Sequence, residues 1–200
     1  MITKQLDQVQ RTGADFYETP TTVIEWVVPE LRKDFIYYDP CVGRGQIPKV
    51  LNLHGIDTIG TDLRENTHNN IYGTGGIDFL NSDYIDYSMI DAFIMNPPFL
   101  LSIEFVNKCL ELSKTHGKNY DIWVFEKLSF WASKRRKDIM NNHLSSINVC
   151  SRRPAMYKAD EFTSIDEPYI EKPMGGTVDF AWFRFNLNPE LVEKTFKSLG

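Results

Sequence analysis

Long apolar runs are missing from this chain of 200 residues. None approaches the roughly 20 residues that a membrane-crossing helix needs. The N-terminus, Met1-Ile2-Thr3-Lys4-Gln5-Leu6-Asp7-Gln8, lacks a basic stretch followed by an apolar one, so no secretory signal is expected and the cytoplasm is the predicted location. Cysteine is scarce. Cys41, Cys109 and Cys150 are odd in number, widely scattered and without metal-ligand spacing, which argues against a disulfide framework. His54, His68, His116 and His143 are equally scattered, so no metal site is predicted. An excess of positive charge is also missing, the formal net charge being -5. A protein that coats nucleic acid non-specifically needs a large basic surface and is excluded on this count. An enzyme with a local basic patch is not. Lys134-Arg135-Arg136-Lys137 and Arg152-Arg153 are the candidate patches, although on charge alone the first reads more simply as a solvated helix start. No segment is low-complexity and no internal repeat is visible. The length suits one domain with a substantial core over 1–200, of which 1–14 reads as a short N-terminal arm.

What is present is an alternation of strand and helix. The pattern predicts strands at Phe35–Tyr38, Thr58–Thr61, Ala92–Met95, Asp121–Phe125 and Ser146–Cys150, and a long final strand over Val178–Leu187. Helices are predicted at Ile47–His54, Ile103–Ser113 and Lys134–His143. Asp78-Phe79-Leu80 reads as a short apolar step at a strand end. Strands alternating with helices imply right-handed crossovers and a mostly parallel, doubly wound α/β sheet. The segment 154–177 contains Pro154, Pro168, Pro173, Gly175 and Gly176 and shows no period. A connection so long reads as a mobile functional loop and a candidate substrate contact.

The most informative stretch is Asn96-Pro97-Pro98-Phe99, directly behind the apolar run Ala92-Phe93-Ile94-Met95. Proline fixes its own φ, cannot donate to a sheet ladder and keeps its predecessor out of helical angles. The strand must therefore stop in a stiff, extended corner. The Asn96 amide and the Pro97 carbonyl become a rigid pair of acceptors at a carboxyl end, where open α/β sheets bind ligands. The ring of Phe99 completes a site suited to a planar group bearing an amine.

Three acids stand at comparable places. Asp39 follows the first strand and precedes Gly43 and Gly45, which permit a tight turn and close approach of a ligand. A carboxylate there would repel a pyrophosphate and favour a ligand carrying an ammonium group. Asp62 ends the second strand, where it can accept from both hydroxyls of a ribose. Asp78 beside Phe79 suits an adenine, the acid accepting from its amino group and the ring packing on its face. Taken singly, each acid could equally cap a helix or close a turn. Their joint order, followed by the Asn-Pro-Pro-Phe corner, is much harder to obtain by chance.

At this point the chain resembles a family. Asp-Pro-Cys-Val-Gly-Arg-Gly at Asp39–Gly45, Asp62, Asp78-Phe79 and Asn96–Phe99 are similar to the motifs of class I S-adenosylmethionine-dependent methyltransferases, and most of all to those acting on the adenine amino group of DNA. Phe16-Tyr17-Glu18-Thr19-Pro20 resembles the stretch that closes over the cofactor's methionine end. Val124–Phe130 and Phe180–Phe183 look like small phage- or mobile-element-type adenine methylases, which would place the protein in a bacterial host's cytoplasm. The resemblance covers roughly residues 15 to 187. It implies a Rossmann-like methyltransferase fold with an antiparallel last strand and S-adenosyl-L-methionine as cofactor. It also implies roles: Asp39, Gly43 and Gly45 at the methionine portion, Thr19 and Pro20 near its carboxylate, Asp62 at the ribose, and Asp78 with Phe79 at the adenine. Asn96 and Pro97 would accept the protons of the target amine and Phe99 would stack on the target base. Weaker substrate contacts are expected from Arg135, Arg136, Arg152 and Arg153 on phosphates.

Adenine methyltransferases that read a defined sequence usually carry a separate target-recognition region, and no stretch here reads as one. Recognition would then fall to the loop 154–177, to a partner subunit or dimer, or to relaxed specificity. That loop holds Asp160, Glu161, Asp166, Glu167 and Glu171, which would repel phosphates. Glu126 follows a strand at the same edge and reads as an ion pair with Lys127 or Arg135. The same motif logic serves methylation of an RNA base or of a protein glutamine side chain, and a non-catalytic interaction protein on this fold is the alternative from another class.

Overall fold

The computed structural model describes residues 17–65, 72–158, 174–191 and 195–200. Its centre is a seven-stranded sheet. In chain order the elements are β1 (Tyr17–Glu18), α1 (Thr21–Val27), β2 (Tyr37–Asp39), α2 (Gln46–Leu53), β3 (Thr58–Gly60), β4 (Ala92–Met95), α3 (Ser102–His116), β5 (Asp121–Lys127), α4 (Lys137–Asn142), β6 (Leu144–Cys150), β7 (Ala155–Lys158), β8 (Met174–Gly175), β9 (Phe180–Phe185) and β10 (Thr195–Leu199). The sheet order is β10-β6-β9-β5-β4-β2-β3. Neighbours pair in parallel except β9, which runs antiparallel to both β5 and β6.

Both faces of this sheet are covered, which is why its central strands read as continuous apolar runs rather than alternating ones. Phe93 and Met95 of β4, with Ile122 and Val124 of β5, face α3 through Phe105, Val106, Cys109 and Leu110. Ala92 and Ile94, with Trp123 and Phe125, face α1 and α2 through Val23, Ile24, Val27, Val50 and Leu51. Chain order reverses at the β2–β4 pair, with β3 on one side and β5 on the other. Pairing of Tyr38 with Phe93 sets the carboxyl ends of β2 and β4 side by side at this switch point.

Several elements differ from the sequence reading. The helix α1 went unread because seven residues carry little periodicity; the Pro20 carbonyl accepts from Val23 and Ile24 and starts it. Asp78 and Phe79 belong to a hydrogen-bonded turn, with Asn81 and Ser82 donating to the Asp78 carbonyl, not to a strand end. The strand over Val178–Leu187 shortens to β9, and β10 follows it as a parallel edge strand beside β6. The flanks of 154–177 are not structureless. Strands β7 and β8 pair with each other, and β7 pairs with β1, in a separate three-stranded sheet. Residues 159–173 and the arm 1–14 lie outside the described residues, and with them the expectation of a mobile loop.

Candidate active site

The turn from β2 to α2 bends back on itself at two left-handed glycines, Gly43 (φ 56°) and Gly45 (φ 93°). A Cβ at Gly45 would stand 2.6 Å from the Tyr72 ring, so that position tolerates no side chain. Asp62 fixes this turn from the neighbouring strand. It accepts from the Gly43 amide at 2.8 Å and from its own downstream Arg64 amide at 2.9 Å.

Asp39, 1% exposed, ends β2 beneath the turn. Its Oδ1 accepts from the Cys41 amide at 3.1 Å. Its Oδ2 is buried and has no hydrogen-bond partner among the described residues. Burial, with a smaller contribution from the nearby Asp62 charge, pushes this carboxyl up to about 8. The same burial raises the Cys41 thiol well above its ordinary range. Beside it lies a buried ion pair that the sequence reading did not anticipate, Arg44 Nη1 to Glu18 Oε2 at 3.3 Å, which ties β1 to the glycine turn.

Two cavities adjoin here and share Cys41, Arg64 and Pro98 as a common wall. One is lined by Tyr17, Glu18, Thr19, Asp39, Gly43, Arg44 and Asn96. The other is lined by Asp62, Ile77, Asp78, Phe79, Leu101 and Phe105. The structure therefore gathers Thr19, Asp39, Gly43 and Asn96 around one cavity and Asp62, Asp78 and Phe79 around its neighbour, the two adjoining as a cleft at the sheet's carboxyl edge. Gly45 shapes the turn and Pro20 starts α1; neither lines these two cavities, and Pro97 and Phe99 do not line them either. Arg64 stands between the two halves with its guanidinium 3.4 Å from Asp62, a residue that only tertiary placement reveals.

The corner after β4 carries Asn96 into the first cavity. Its Nδ2 donates to the Tyr17 carbonyl at 3.1 Å. With the amide nitrogen engaged, Oδ1 is left as the acceptor. Among the described residues nothing donates to the Pro97 carbonyl either. The Phe99 ring lies against Tyr17 (centroids 6.2 Å, 21° between planes) and Phe180 (6.0 Å), and the Lys127 ammonium sits 4.4 Å from its centroid.

The corner is braced from behind. Pro98 accepts from the Leu101 amide at 2.8 Å as α3 begins. Fully buried Ser102 donates to Glu126 Oε1 at 2.7 Å and lies 3.3 Å from the Pro98 carbonyl. Glu126 Oε2 accepts from the Lys127 amide, and burial raises this carboxyl above its usual range. Glu126 thus serves a hydroxyl and a backbone amide, not the ion pair with Lys127 or Arg135 expected from sequence; Arg135 pairs with Glu104. Of the other candidate phosphate contacts, Arg136 lies over the Phe130 ring, Arg153 pairs with Asp179 at 2.8 Å, and Arg152 is exposed.

Solved structures share this fold. A proposed class I S-adenosylmethionine-dependent methyltransferase from Listeria monocytogenes superposes with a TM-score of 0.53 at 12% identity, covering 88% of this chain and 61% of its own. A proposed RNA methyltransferase from Pyrococcus horikoshii gives 0.57 at 14% identity, covering 93% and 98%.

The chain has the class I S-adenosylmethionine-dependent methyltransferase fold.

A modification subunit of a proposed type I restriction enzyme from Vibrio vulnificus adopts the same methyltransferase fold, with a TM-score of 0.55 at 14% identity over 96% of this chain. This chain spans 48% of that subunit and 61% of the Listeria protein, so both relatives carry structure beyond the shared fold. No family model and no curated relative matches the sequence. Within the methyltransferase fold, β9 is the antiparallel strand expected from sequence, β10 is added at the sheet edge, and the chain between β3 and β4 forms one isolated parallel bridge, Thr61 to Thr74.

Proposed function

We propose that this protein is an S-adenosylmethionine-dependent methyltransferase acting on the exocyclic amino group of adenine in nucleic acid, DNA foremost. The observation that carries this reading is the Asn96–Pro97 corner: Asn96 lines a cleft whose far side suits an amino-acid ammonium, its Nδ2 is tied to the Tyr17 carbonyl so that Oδ1 is left to accept, and among the described residues nothing donates to the carbonyl of buried Pro97. The cleft fits the cofactor on its own chemistry. The bare Oδ2 of Asp39 is a buried acceptor awaiting a donor, and an ammonium supplies one together with the charge that would return the carboxyl to its ionised state. Asp62 would take the ribose, and Asp78 and Phe79 the adenine, in the second cavity. Thr19 and Gly43 line the cavity that the methionine end would fill. Bound there, the cofactor supplies an electrophilic methyl group.

The chain's own residues act on the amine. An aromatic amine is a poor nucleophile because its lone pair is delocalised into the ring. Asn96 Oδ1 and the Pro97 carbonyl accept its two protons and favour the tetrahedral nitrogen that develops at the transition state, so their hydrogen bonds strengthen as reaction proceeds. Asn96 need not be a strong base. Its orientation is fixed by the Tyr17 carbonyl, so no reorganisation is required at that step. Phe99 offers a face to the base and offsets part of the cost of unstacking it from a duplex.

The nucleic-acid substrate is supported by the specificity of an Asn-Pro-Pro-aromatic corner for amines. A proposed RNA methyltransferase and the modification subunit of a proposed type I restriction enzyme among the structural neighbours point the same way. The test is transfer of tritiated methyl from S-adenosylmethionine onto DNA, RNA and protein pools. Label on DNA adenine is expected, with a loss of at least about a hundredfold in kcat for Asn96→Ala. Label confined to protein would refute the substrate.

A further inference from the structure

Lys127 stands beside the corner and has no task in the proposed reaction. It ends β5 at the same carboxyl edge as Asn96, and its ammonium rests 4.4 Å from the centre of the Phe99 ring. The neighbouring cations are committed elsewhere: Arg135 to Glu104, Arg153 to Asp179, Arg136 to the Phe130 ring. The nearest acid in sequence, Glu126, turns both oxygens to Ser102 and to the Lys127 backbone amide. Among the described residues no ion pair forms at the Lys127 ammonium. A cation without a carboxylate partner therefore sits on the ring surface that a planar base needs.

We propose that Lys127 is the phosphate ligand of the target nucleotide. In the free protein its ammonium occupies the Phe99 face through a cation–π contact. A base stacking on Phe99 displaces it, and the backbone phosphate attached to that base arrives with the charge the ammonium lacks. The long flexible stem lets the head move while β5 stays fixed. This inference rests on the nucleic-acid reading above and adds to it. A protein amide brings no phosphate, so the residue discriminates for a polynucleotide.

The experiment is equilibrium binding of a short oligodeoxynucleotide with a single adenine, followed by fluorescence anisotropy across a salt series. Wild type, Lys127→Gln and Lys127→Arg are compared. Loss of one phosphate contact reduces the slope of log affinity against log salt by roughly 0.7 to 0.9. The glutamine variant is expected to show that reduction and about tenfold weaker binding at low salt, and the arginine variant to recover the wild-type slope. Lys127→Gln is expected to bind free adenosine no more weakly than wild type, since the ring is uncovered. A packing role alone would alter melting temperature and leave the slope in place. An unchanged slope in a Lys127→Gln protein that still binds the oligonucleotide overturns this inference and spares the proposed activity. A wild-type protein that binds no oligonucleotide overturns both.

Discussion

At Asp39 one carboxylate oxygen is hydrogen-bonded and the other is bare, and burial holds the group protonated well above the ordinary carboxylate range. The sign of its effect on folding follows. A carboxyl raised from 3.8 to about 8 contributes stability that is fully present below the lower value and is lost as pH rises through the higher one. Binding has the opposite sense. An ammonium selects the ionised carboxylate, so cofactor binding at neutral pH releases a proton. Affinity for S-adenosylmethionine should rise with pH up to about 8, by up to about tenfold per unit. Titration calorimetry in buffers of different protonation heat would read close to one proton released at pH ~7. Asp39→Asn should weaken binding by about one to two orders of magnitude and abolish the pH dependence. A flat pH profile in the wild type would remove Asp39 from the ammonium site. At this scale the sequence was informative where residue type restricts geometry. Two prolines after a buried run fix a corner, and an acid before two glycines marks a turn. It placed Tyr17 and Glu18 in a stretch near the methionine end but gave neither its partner, since Asn96 and Arg44 are distant in sequence, and it assigned nothing to Arg64. Glu126 was misread because adjacency in sequence suggested Lys127 as its partner, whereas successive residues of a strand point to opposite faces.

Among the elements, the corner depends on two it does not belong to. The first residue of α3, Ser102, and the penultimate residue of β5, Glu126, form a buried hydrogen bond behind Pro98 and Phe99. Removing the hydroxyl leaves Glu126 Oε1 buried and unsatisfied. Ser102→Ala should therefore cost about 1–3 kcal/mol in urea unfolding and lower kcat through a loosened Asn96. Glu126→Gln keeps an acceptor for the hydroxyl and should cost less. Equal losses in the two variants would show that charge, not this bond, braces the corner. Elements with a long buried run or clear periodicity (β4, β5 and α3) were legible in the sequence. Those whose existence rests on distant pairing were not. The strand β1 forms only against β7, and β10 only against β6. Two- to five-residue strands carry too few side chains for a period to register.

For the molecule as a whole, parallel pairing brings the ends of β2, β3 and β4 to one edge, and the reversal of chain order places the cleft there. The net charge of -5 makes general attraction to nucleic acid weak, so binding must come from local contacts at the rim, of which Lys127 is the proposed one. The fold class was readable because alternation of strand and helix leaves few topologies once crossovers are right-handed. That β9 runs antiparallel was readable only through family resemblance, and its place between β5 and β6 came from the fold alone.

The account turns on Asn96 and Asp39 facing the two ends of one bound methionine group. A crystal structure with S-adenosylhomocysteine measures this directly. The account predicts the ligand's amino group within hydrogen-bond reach of Asp39 Oδ2, roughly 2.7–3.2 Å, with the sulfur opening toward Asn96 Oδ1. A sulfur directed away from the corner, with Asn96 turned into the core, would contradict it.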